Sequence, residues 1–579
     1  MAGLGGLLYG VDVGIISGAL PYLEATCGLN AGQLSMIVAA VLLGSVFSTL
    51  FAGVLADWMG RKKLMTLSGT LFVLSIPLIA MSHGYGPLLL GRLLQGVSAG
   101  LIGVVVPLYL AECLTPAGRG RGTAVFQWLL TLGIVAAAVI AMYFSIRVQA
   151  VARLNNAAKL FAFKDAAWRG IFWSTLPPGI LFVCGSLYVA ESPRWLFKRG
   201  DKPAARAALR RSRTPPQAAR EMEEMEKLAA PEPPSADNTP PASRESLWQR
   251  RYVIPFLLAC VILACNQATG INSIIGYNAT ILIQAGLSDV QAHWGYLLFT
   301  TVNFLMTIVG VVLVDRVGRK ALLSAGSAGI IVSLVCTGLL FHHAQEGRID
   351  CAKSLQALVR PNQTLSIPFN QTMAARLLSP GKMNPNAMSR HPVTLTVIYS
   401  YGGFHGMTNT VRSASRTAEP VVITRAECVP ANAVIAFFSN PLANLAVARH
   451  APLKIEHAWI TPAPTRRNGI LTAMSLFAFV AFFAAGPGVC VWLALSELMP
   501  TRIRSTGMSI ALLINQAVST MIAAVFLPVV GKYGYATIFF TFAGFTVIYF
   551  LTATLWLPET RNKTLEEIEA GFRGIKADR

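Results

Sequence analysis

The chain of 579 residues is 54% hydrophobic and only 13% charged, with a mean hydropathy of +0.54. Soluble globular proteins carry about 25% charged residues, so the composition excludes a soluble domain and indicates a protein that crosses the lipid bilayer many times. The formal net charge of +21 does not indicate nucleic acid binding, because the cations lie in loops between apolar segments rather than in one patch with interleaved aromatics.

Apolar segments that are long enough to cross a bilayer, which takes about 20 residues, occur twelve times. We place them at 2–22, 34–56, 64–83, 87–113, 122–145, 168–190, 252–283, 294–314, 321–342, 468–497, 507–530 and 534–557. An even number of spans puts both termini on one side, and the basic loops assign that side to the cytoplasm. No basic region precedes the first span, so we predict no cleavable signal peptide. The first span starts abruptly, so we also expect that a few residues are missing before it.

Two long polar segments separate groups of spans. The first combines a charged helical stretch with proline-rich sequence, which predicts cytoplasmic helices and a flexible linker. The second follows the ninth span and is therefore external. The predicted domains are an N-terminal six-helix domain at 1–190, the cytoplasmic linker at 191–250, spans seven to nine at 251–342, the external insertion at 343–467, spans ten to twelve at 468–557 and a cytoplasmic tail at 558–579.

The insertion has the pattern of a small β-rich subdomain. Short runs of β-branched and aromatic residues alternate there with Gly, Pro and Asn, which is typical of strands and turns. The runs are Leu395–Tyr401, Val421–Thr424 and Val434–Phe438. Cys351 and Cys428 also lie in this segment, and an external disulfide between them is one alternative. Its histidines show no metal-ligand spacing, so we predict no metal site and no enzymatic role, and we interpret the insertion as a cap or a partner surface.

One short motif occurs twice. Gly53-Val-Leu-Ala-Asp57-Trp-Met-Gly60-Arg61-Lys62-Lys63 is repeated as Gly310-Val-Val-Leu-Val-Asp315-Arg-Val-Gly318-Arg319-Lys320. In each copy an apolar run ends at an Asp, turns at a Gly and continues through cations into another apolar run. Each copy therefore predicts a tight cytoplasmic hairpin between two membrane helices. Matching hairpins in two halves are typical of the parallel internal repeats of transporters.

Further motifs follow in order along the chain. They are Gly91-Arg92, Pro107-Leu-Tyr-Leu-Ala-Glu112 with Arg119-Gly120, Glu191-Ser-Pro-Arg194, Gln267-Ala-Thr-Gly-Ile-Asn272, Gly486-Pro-Gly-Val-Cys-Val-Trp492 with Glu497 and Arg504, and Pro558-Glu559-Thr560. With these motifs the chain resembles the sugar porters of the major facilitator superfamily, a group that includes facilitative glucose transporters and proton-coupled xylose and inositol symporters. The resemblance covers nearly all of the chain except 343–467. It implies an all-α membrane protein with a twelve-helix major facilitator fold of two six-helix domains, a transporter rather than an enzyme, and no cofactor.

Acidic and basic residues form pairs at the predicted cytoplasmic ends of the spans. One interpretation is that they anchor helices at the membrane surface and set the topology. The resemblance favours another, a salt-bridge network that closes the cytoplasmic side and breaks when the bundle opens inward. An exposed pair contributes only about 0–1 kcal/mol, so a network is needed to bias that equilibrium. The pairs are Asp57 with Arg61, Glu112 with Arg119, Glu191 with Arg194, Asp315 with Arg319, and Glu497 with Arg504.

A carboxylate near the middle of the first span, Asp12, costs about 2.5–3.5 kcal/mol on insertion scales. Arg92 lies at comparable depth in the fourth span, so we expect the two to face each other. They form either a static buried ion pair or a proton carrier whose carboxylate takes up a proton when its partner moves away. The resemblance favours the carrier, because proton-coupled members have an acid and an arginine at these positions and facilitative members have Asn in place of the acid.

Uncharged amides within the spans suit a polyol, because an amide can donate to and accept from hydroxyl groups. Such amides also serve as hydrogen-bonding contacts between membrane helices, but these positions correspond to the sugar-contacting positions of the family that the chain resembles. On the same resemblance, Phe483 is expected to line the cavity, and Trp492 to stack on a sugar ring beside a flexible Gly-Pro-Gly break. The amides are Gln127, Asn266, Gln267, Asn272, Asn303 and Asn515.

The substrate is not determined by these residues, because the chain departs from the family pattern. Asn266 replaces a usual Gln, and Gly276 replaces a common aromatic residue. We therefore predict import of a hexose, pentose or inositol by proton symport, by a monomer in a cell membrane such as the bacterial inner membrane. The alternatives are a facilitative uniporter and a non-transporting sugar sensor, which the short segment 558–579 disfavours.

Overall fold

The computed structural model describes residues 3–113, 119–211, 213–229, 250–345, 348–378, 393–408, 411–413, 420–430, 443–462, 464–490, 498–499 and 504–560. Within these residues, twelve helices are long and apolar enough to cross a membrane. They coincide with the twelve spans predicted from the sequence, apart from their ends. The predicted all-α fold with a small β-rich insertion is therefore confirmed.

The helices before the insertion fall into two groups. Those of the N-terminal half are α1 (Leu4–Thr26), α2 (Ala31–Met59), α3 (Arg61–Ala80), α4 (Tyr85–Cys113), α5 (Arg119–Ala152), α6 (Ala157–Trp173) and α7 (Leu176–Tyr188). Three short polar helices follow, α8 (Pro193–Lys198), α9 (Lys202–Arg210) and α10 (Pro215–Ala229). The C-terminal half begins with α11 (Arg250–Ala268), α12 (Ile271–Gly276), α13 (Asn278–Gln284), α14 (Asp289–Val317) and α15 (Arg319–Gln345).

The insertion and the last spans complete the described chain. Short helices α16 (Ala352–Gln356), α17 (Gln371–Leu378) and α18 (Leu445–His450) accompany strands β1 (Ile349–Asp350), β2 (Leu365–Pro368), β3 (Val393–Tyr401), β4 (Phe404–Met407), β5 (Val411–Arg412), β6 (Pro420–Ile423) and β7 (Leu453–Pro462). The last membrane helices are α19 (Arg466–Ala485), α20 (Arg504–Tyr533) and α21 (Tyr535–Leu551). Below, the end of the bundle with the Gly60 and Gly318 turns is called the hairpin end, and the opposite end is called the insertion end.

Small residues bring the helices of the N-terminal half into close contact. A Cβ atom on Gly10 of α1 would lie 1.8 Å from the carbonyl oxygen of Leu130 on α5. A Cβ atom on Gly96 of α4 would lie 2.1 Å from the carbonyl oxygen of Val41 on α2. Without a hydrophobic driving force in lipid, such close backbone approach is a main source of helix association. These contacts join α1 to α5 and α4 to α2, and α1 also packs against α4. Residues in the middle of α1 and α4 are therefore close together.

Two spans that the sequence predicts as single helices are broken. The sixth, predicted at 168–190, begins at Ala157 and divides into α6 and α7, because Pro177 and Pro178 cannot donate backbone hydrogen bonds and start a new helix. The seventh, predicted at 252–283, divides into α11, α12 and α13. Gly270 has φ 83°, a left-handed conformation that suits Gly and ends the helical path after α11.

The insertion folds into two sheets. One has the strand order β1-β7-β3-β4, with β5 also paired to β3, and the other pairs β2 with β6, all antiparallel. The predicted runs Leu395–Tyr401 and Val421–Thr424 lie in β3 and β6, whereas Val434–Phe438 lies outside the described residues. The larger sheet rests on the bundle, with β4 against α2 and β3 against α20. The insertion thus contacts both halves.

The possible disulfide in the insertion does not form. The Cys351 thiol donates to the carbonyl oxygen of Ala458 at 3.5 Å, and the Cys428 thiol donates to that of Phe404 at 3.2 Å. Burial raises the pKa of the Cys351 thiol to about 12, which keeps it protonated and unreactive. An apolar core of its own, including Leu395, holds this subdomain together.

Candidate functional site

The buried charges Asp12 and Arg92 lie next to each other in the N-terminal half. Each is 1% exposed, and Arg92 Nη1 lies 3.6 Å from Asp12 Oδ1. The same Nη1 donates a hydrogen bond of 2.6 Å to Gln95 Oε1. Phe172 of α6 covers the guanidinium, with 5.6 Å from Arg92 Cζ to the ring centroid. The structure therefore brings together the acid and the arginine that the sequence predicts, and it adds Gln95.

Four polar side chains of the C-terminal half form one connected cluster. Gln267 Nε2 donates to Asn515 Oδ1 at 3.3 Å, which joins α11 to α20. Asn272 Nδ2 donates to Gln267 Oε1 at 3.0 Å and to Ser519 Oγ at 2.8 Å. Asn515 Nδ2 donates to the carbonyl oxygen of Leu263 at 3.1 Å. These bonds orient the amides inside the bundle, and amides held in this way can bind hydroxyl groups.

A second break in the bundle lies beside this cluster. Asn266 Nδ2 donates to the carbonyl oxygen of Pro487 at 3.4 Å, so α11 is joined to the Gly486-Pro487-Gly488 break that follows α19. One turn before the break, Phe483 stacks on Phe479 with ring centroids 6.3 Å apart. Pro487 has no backbone N–H group to donate, so the helical hydrogen-bond pattern is interrupted here and the segment can bend more easily than the helices around it.

The remaining predicted substrate residues are less closely connected. Gln127 lies half-buried on α5, and Asn303 is 8% exposed on α14. Among the hydrogen bonds of the described residues, those that involve Gln127 and Asn303 use their backbone carbonyls, which accept from Thr131 and Thr307. Trp492 lies outside the described residues. Gln127 and Asn303 thus remain candidates for ligand contact without a place in the amide cluster.

Several polar residues near the site escape sequence reasoning. Gln516 of α20 faces Tyr9 of α1, across the boundary between the halves. Asn278, at the start of α13, is fully buried, and neither of its amide atoms has a partner among the described residues. Ser519 joins the amide cluster one helical turn after Asn515. The sequence shows each of them as an uncharged polar residue inside an apolar span. It does not show whether the side chain faces the interior of the bundle or the lipid.

At the hairpin end of the N-terminal half, Arg61 forms the centre of a charged cluster. Arg61 Nη2 lies 2.9 Å from Asp57 Oδ1, and Arg61 Nε lies 2.9 Å from Glu112 Oε2. Glu191 Oε1 accepts from the backbone N–H groups of Arg61 at 2.9 Å and Lys62 at 3.1 Å. The Glu191 carboxylate therefore caps the positive end of α3. Arg194, predicted to pair with Glu191, is exposed, and the structure gives Glu191 backbone partners instead.

The C-terminal half repeats this arrangement with a residue that the sequence analysis did not assign to the gate. Glu559 accepts from the backbone N–H groups of Arg319 at 3.1 Å and Lys320 at 3.2 Å, as Glu191 does for α3. Arg319 Nη1 also donates to the carbonyl oxygen of Val314 at 3.2 Å. The other predicted gate positions are not described at this level, since Glu497 and the side chains of Arg119, Asp315 and Arg504 lie outside what the structure describes.

The two halves are joined directly near the insertion end. Asp289, the first residue of α14, accepts hydrogen bonds from the Tyr22 hydroxyl at 2.8 Å and the Ser145 hydroxyl at 2.7 Å, both in the N-terminal half. His293 stacks on Tyr22 with ring centroids 5.7 Å apart. Tyr296 donates to the carbonyl oxygen of Gly14 at 2.8 Å. By contrast, the hydrogen bonds and ion pairs described above for Arg61 and Arg319 at the hairpin end join residues of the same half.

Three features define a membrane transporter of the major facilitator fold. Its two halves are joined near the insertion end, its interior carries polar side chains at mid-depth, and each half has the same charged hairpin. The solved structures support this fold. The inward-open xylose transporter XylE from E. coli is 19% identical, with a TM-score of 0.63, and the match covers 98% of this chain and 98% of that chain. The chain matches the model of the family described as "Sugar (and other) transporter" over residues 1–358 and 454–572, and it belongs to that family.

Curated relatives agree with this family. The proton myo-inositol cotransporter of Homo sapiens is 28% identical over 98% of this chain and 80% of its own length. The glucose transporter GlcP of Staphylococcus epidermidis is 30% identical over 59% of this chain and 70% of its own length. The facilitated glucose transporter member 12 of Homo sapiens is 25% identical over 98% of this chain and 83% of its own length. The protein is therefore a multi-pass membrane sugar transporter and not an enzyme.

Proposed function

We propose that the protein imports a sugar or polyol together with protons, by alternating access between the two halves. The observation that carries this proposal is the pairing of Asp12 with Arg92 inside the N-terminal half, where an ionised group is costly. At that depth the carboxylate is stabilised either by its cationic partner or by a proton. Binding of a proton is therefore linked to the position of the helix that carries the carboxylate. The name of the human relative, a proton cotransporter, is consistent with it.

The proposed transport cycle uses both sites. Protonation of Asp12 from outside removes a buried charge, and the substrate then binds mainly to the amides of Gln267, Asn272 and Asn515 in the C-terminal half. The halves next close over the substrate and join at the insertion end, as the hydrogen bonds of Asp289 with Tyr22 and Ser145 support. On the cytoplasmic side the substrate leaves, and Arg92 helps to expel the proton.

The amide cluster favours a substrate with several adjacent hydroxyl groups. Each amide offers both a donor and an acceptor, which matches a hydroxyl group. The relatives' names include myo-inositol and glucose, so a hexose, a pentose or an inositol is the proposed class. A thermal-shift screen of the purified protein against these three classes identifies the ligand, because a ligand that binds only the native state raises the melting temperature.

We also propose the orientation and assembly. The hairpin end carries Arg61, Lys62, Arg319 and Lys320, and short basic loops face the cytoplasm. Both termini then lie in the cytoplasm and the insertion lies outside. The site is built from one chain, so we propose a monomer in the cell membrane, such as a bacterial inner membrane.

Sugar uptake into proteoliposomes, with and without an imposed inward proton gradient, tests the coupling. We expect the gradient to accelerate uptake by the wild type and to have no effect on Asp12→Asn. Asp165→Asn is a matched control, because it breaks the ion pair of Asp165 with Arg169 in α6, which does not involve Asp12 or Arg92. Uptake that is indifferent to the gradient, and unchanged in Asp12→Asn, would leave a facilitative uniporter.

A further inference from the structure

We infer that Gln95 is a positioning residue that competes with Asp12 for Arg92 and so determines how readily Asp12 takes up a proton. This inference rests on the proposed proton symport and names a third member of its proton site. Gln95 follows Arg92 by three residues on α4, so both side chains point from the same face of that helix. Gln95 is fully buried, as are Arg92 and Asp12.

The distances show which acceptor holds the arginine. Arg92 Nη1 lies 2.6 Å from Gln95 Oε1, within hydrogen-bonding distance, and 3.6 Å from Asp12 Oδ1, which is beyond it. Both oxygens of Asp12 and the Nε atom of Arg92 have no hydrogen-bond partner among the described residues. The neutral amide therefore holds the guanidinium, and the carboxylate has only a longer electrostatic contact.

A second acceptor on the same helix solves an energetic problem of the transport cycle. When Asp12 is neutral, Arg92 would remain as a buried cation without a partner, which is costly in a low-dielectric interior. Gln95 moves with Arg92 because both lie on α4, whereas Asp12 lies on α1. The arginine can therefore turn from the carboxylate to the amide when a proton arrives, and back when it leaves.

Few other groups can take over this role. The charged group from a neighbouring helix that acts on Asp12 is Arg92 of α4, and Tyr9 lies one turn away on α1 itself. From α14, Tyr296 directs its hydroxyl to the carbonyl oxygen of Gly14. The helix α5 faces α1 with backbone atoms and with apolar side chains such as Phe126 and Ala137, and α6 contributes the Phe172 ring over Arg92.

Infrared difference spectroscopy of the purified protein tests this inference, because the C=O stretch of a protonated carboxyl group can be titrated directly. The Asp12 band is the one that disappears in Asp12→Asn. Gln95→Met keeps the side-chain length and removes the amide acceptor, so Arg92 can close onto Asp12. We expect the midpoint of the Asp12 band to fall by about one pH unit, because a closer cation favours the ionised carboxylate.

Two further variants make the result decisive. Gln95→Asn is too short to reach Arg92 and is expected to lower the midpoint as well. Ser98→Ala is the matched control on α4, because it removes a buried hydrogen bond of 2.7 Å to the carbonyl oxygen of Ser68 and does not involve Arg92. It should leave the midpoint unchanged.

The outcomes separate this inference from the proposed function. The role of Gln95 is refuted if the midpoint of the Asp12 band is unchanged in folded Gln95→Met or Gln95→Asn. It is also refuted if no Asp12 band is seen between acid and alkaline pH. Symport is refuted if the proton gradient does not change the rate of sugar uptake by the wild type. If the midpoint of the Asp12 band still shifts in the Gln95 variants in that case, Gln95 and Asp12 compete for Arg92 but transport is not driven by protons.

Discussion

The side chain of Asn272 is held in one orientation, as its proposed role in ligand binding requires. Its Nδ2 is held by Gln267 and Ser519, which fixes the orientation of the amide. Asn272→Ala removes this amide and leaves both partners without their donor, which costs about 1–3 kcal/mol where the acceptor is buried, as Ser519 is. We expect sugar affinity to fall roughly tenfold or more, measured by equilibrium binding to the purified protein.

A matched control for Asn272→Ala is Asn468→Ala. Asn468 Nδ2 donates to the carbonyl oxygen of Ala285 at 3.4 Å, at the start of α19 and outside the amide cluster. Its removal should leave affinity unchanged. Equal affinity of wild type and Asn272→Ala would place the sugar elsewhere.

The proximity of Asp12 and Arg92 could be predicted from the sequence because the chemistry of both residues conflicts with their apolar surroundings. Asp12 and Arg92 are charges inside apolar spans, and a charge there needs a partner. Gln95 is equally buried but uncharged, and its role depends on the rotation of α4 toward α1, which hydropathy does not specify. Glu559 likewise reaches the first turn of α15 only because the segment that follows α21 folds back onto Gly318.

At the scale of elements, the hairpin between α2 and α3 depends on Gly60. It has φ +92°, and a Cβ atom there would lie 2.4 Å from Glu191 Oε2. Gly60→Ala therefore combines backbone strain with displacement of the carboxylate that caps α3, at a cost of about 1–3 kcal/mol. We expect a lower melting temperature in a thermal unfolding assay.

Gly53→Ala provides the comparison within the same motif. Gly53 lies in α2, and nothing within 4 Å would meet its Cβ atom, so alanine should be neutral or stabilising there. If the two variants melted at the same temperature, the Gly60 turn would not be a structural requirement. The repeated motif predicts the hairpin itself, but not the carboxylate that binds it.

On the proposed alternating-access cycle, we expect the contact between α1 and α14 to bias the equilibrium between the two states of the transporter. Tyr22→Phe removes the hydroxyl that donates to Asp289 across the halves. Loss of one such hydrogen bond costs about 1 kcal/mol, or roughly a fivefold change in the ratio of states. We expect a larger population with separated halves at the insertion end, measured by distances between spin labels placed on α1 and α14.

Tyr109→Phe is the control for this prediction. The Tyr109 hydroxyl donates to the carbonyl oxygen of Ala190 at 2.8 Å, within the N-terminal half, so its loss should not favour either state. A distance distribution of Tyr22→Phe that matches the wild type would show that the Asp289 contact has no influence on the equilibrium.

At the scale of the whole molecule, hydropathy predicts twelve spans because each crossing must satisfy its own backbone hydrogen bonds in lipid. The same argument does not predict where a span breaks, and the divisions at Gly270 and at Pro177 appear only in the structure. The strands of the insertion could be predicted from composition. Their order could not, because β3 pairs with β7 although residues 402–452 lie between them, and the sequence of that segment does not specify the register.

The insertion extends the contact between the halves beyond the membrane helices. Its larger sheet places β4 against α2 of the N-terminal half, and β3 and β7 against α20 and α15 of the C-terminal half.

The insertion has a separate apolar core, so replacing 346–465 with a flexible Gly/Ser linker should leave the membrane bundle folded and able to bind sugar. Because the sheet contacts both halves where they meet, its loss should favour separation at the insertion end. Spin-label distances on α2 and α20 should then lengthen, while uptake into proteoliposomes persists. Loss of sugar binding in a folded deletion variant would instead make the insertion part of the site.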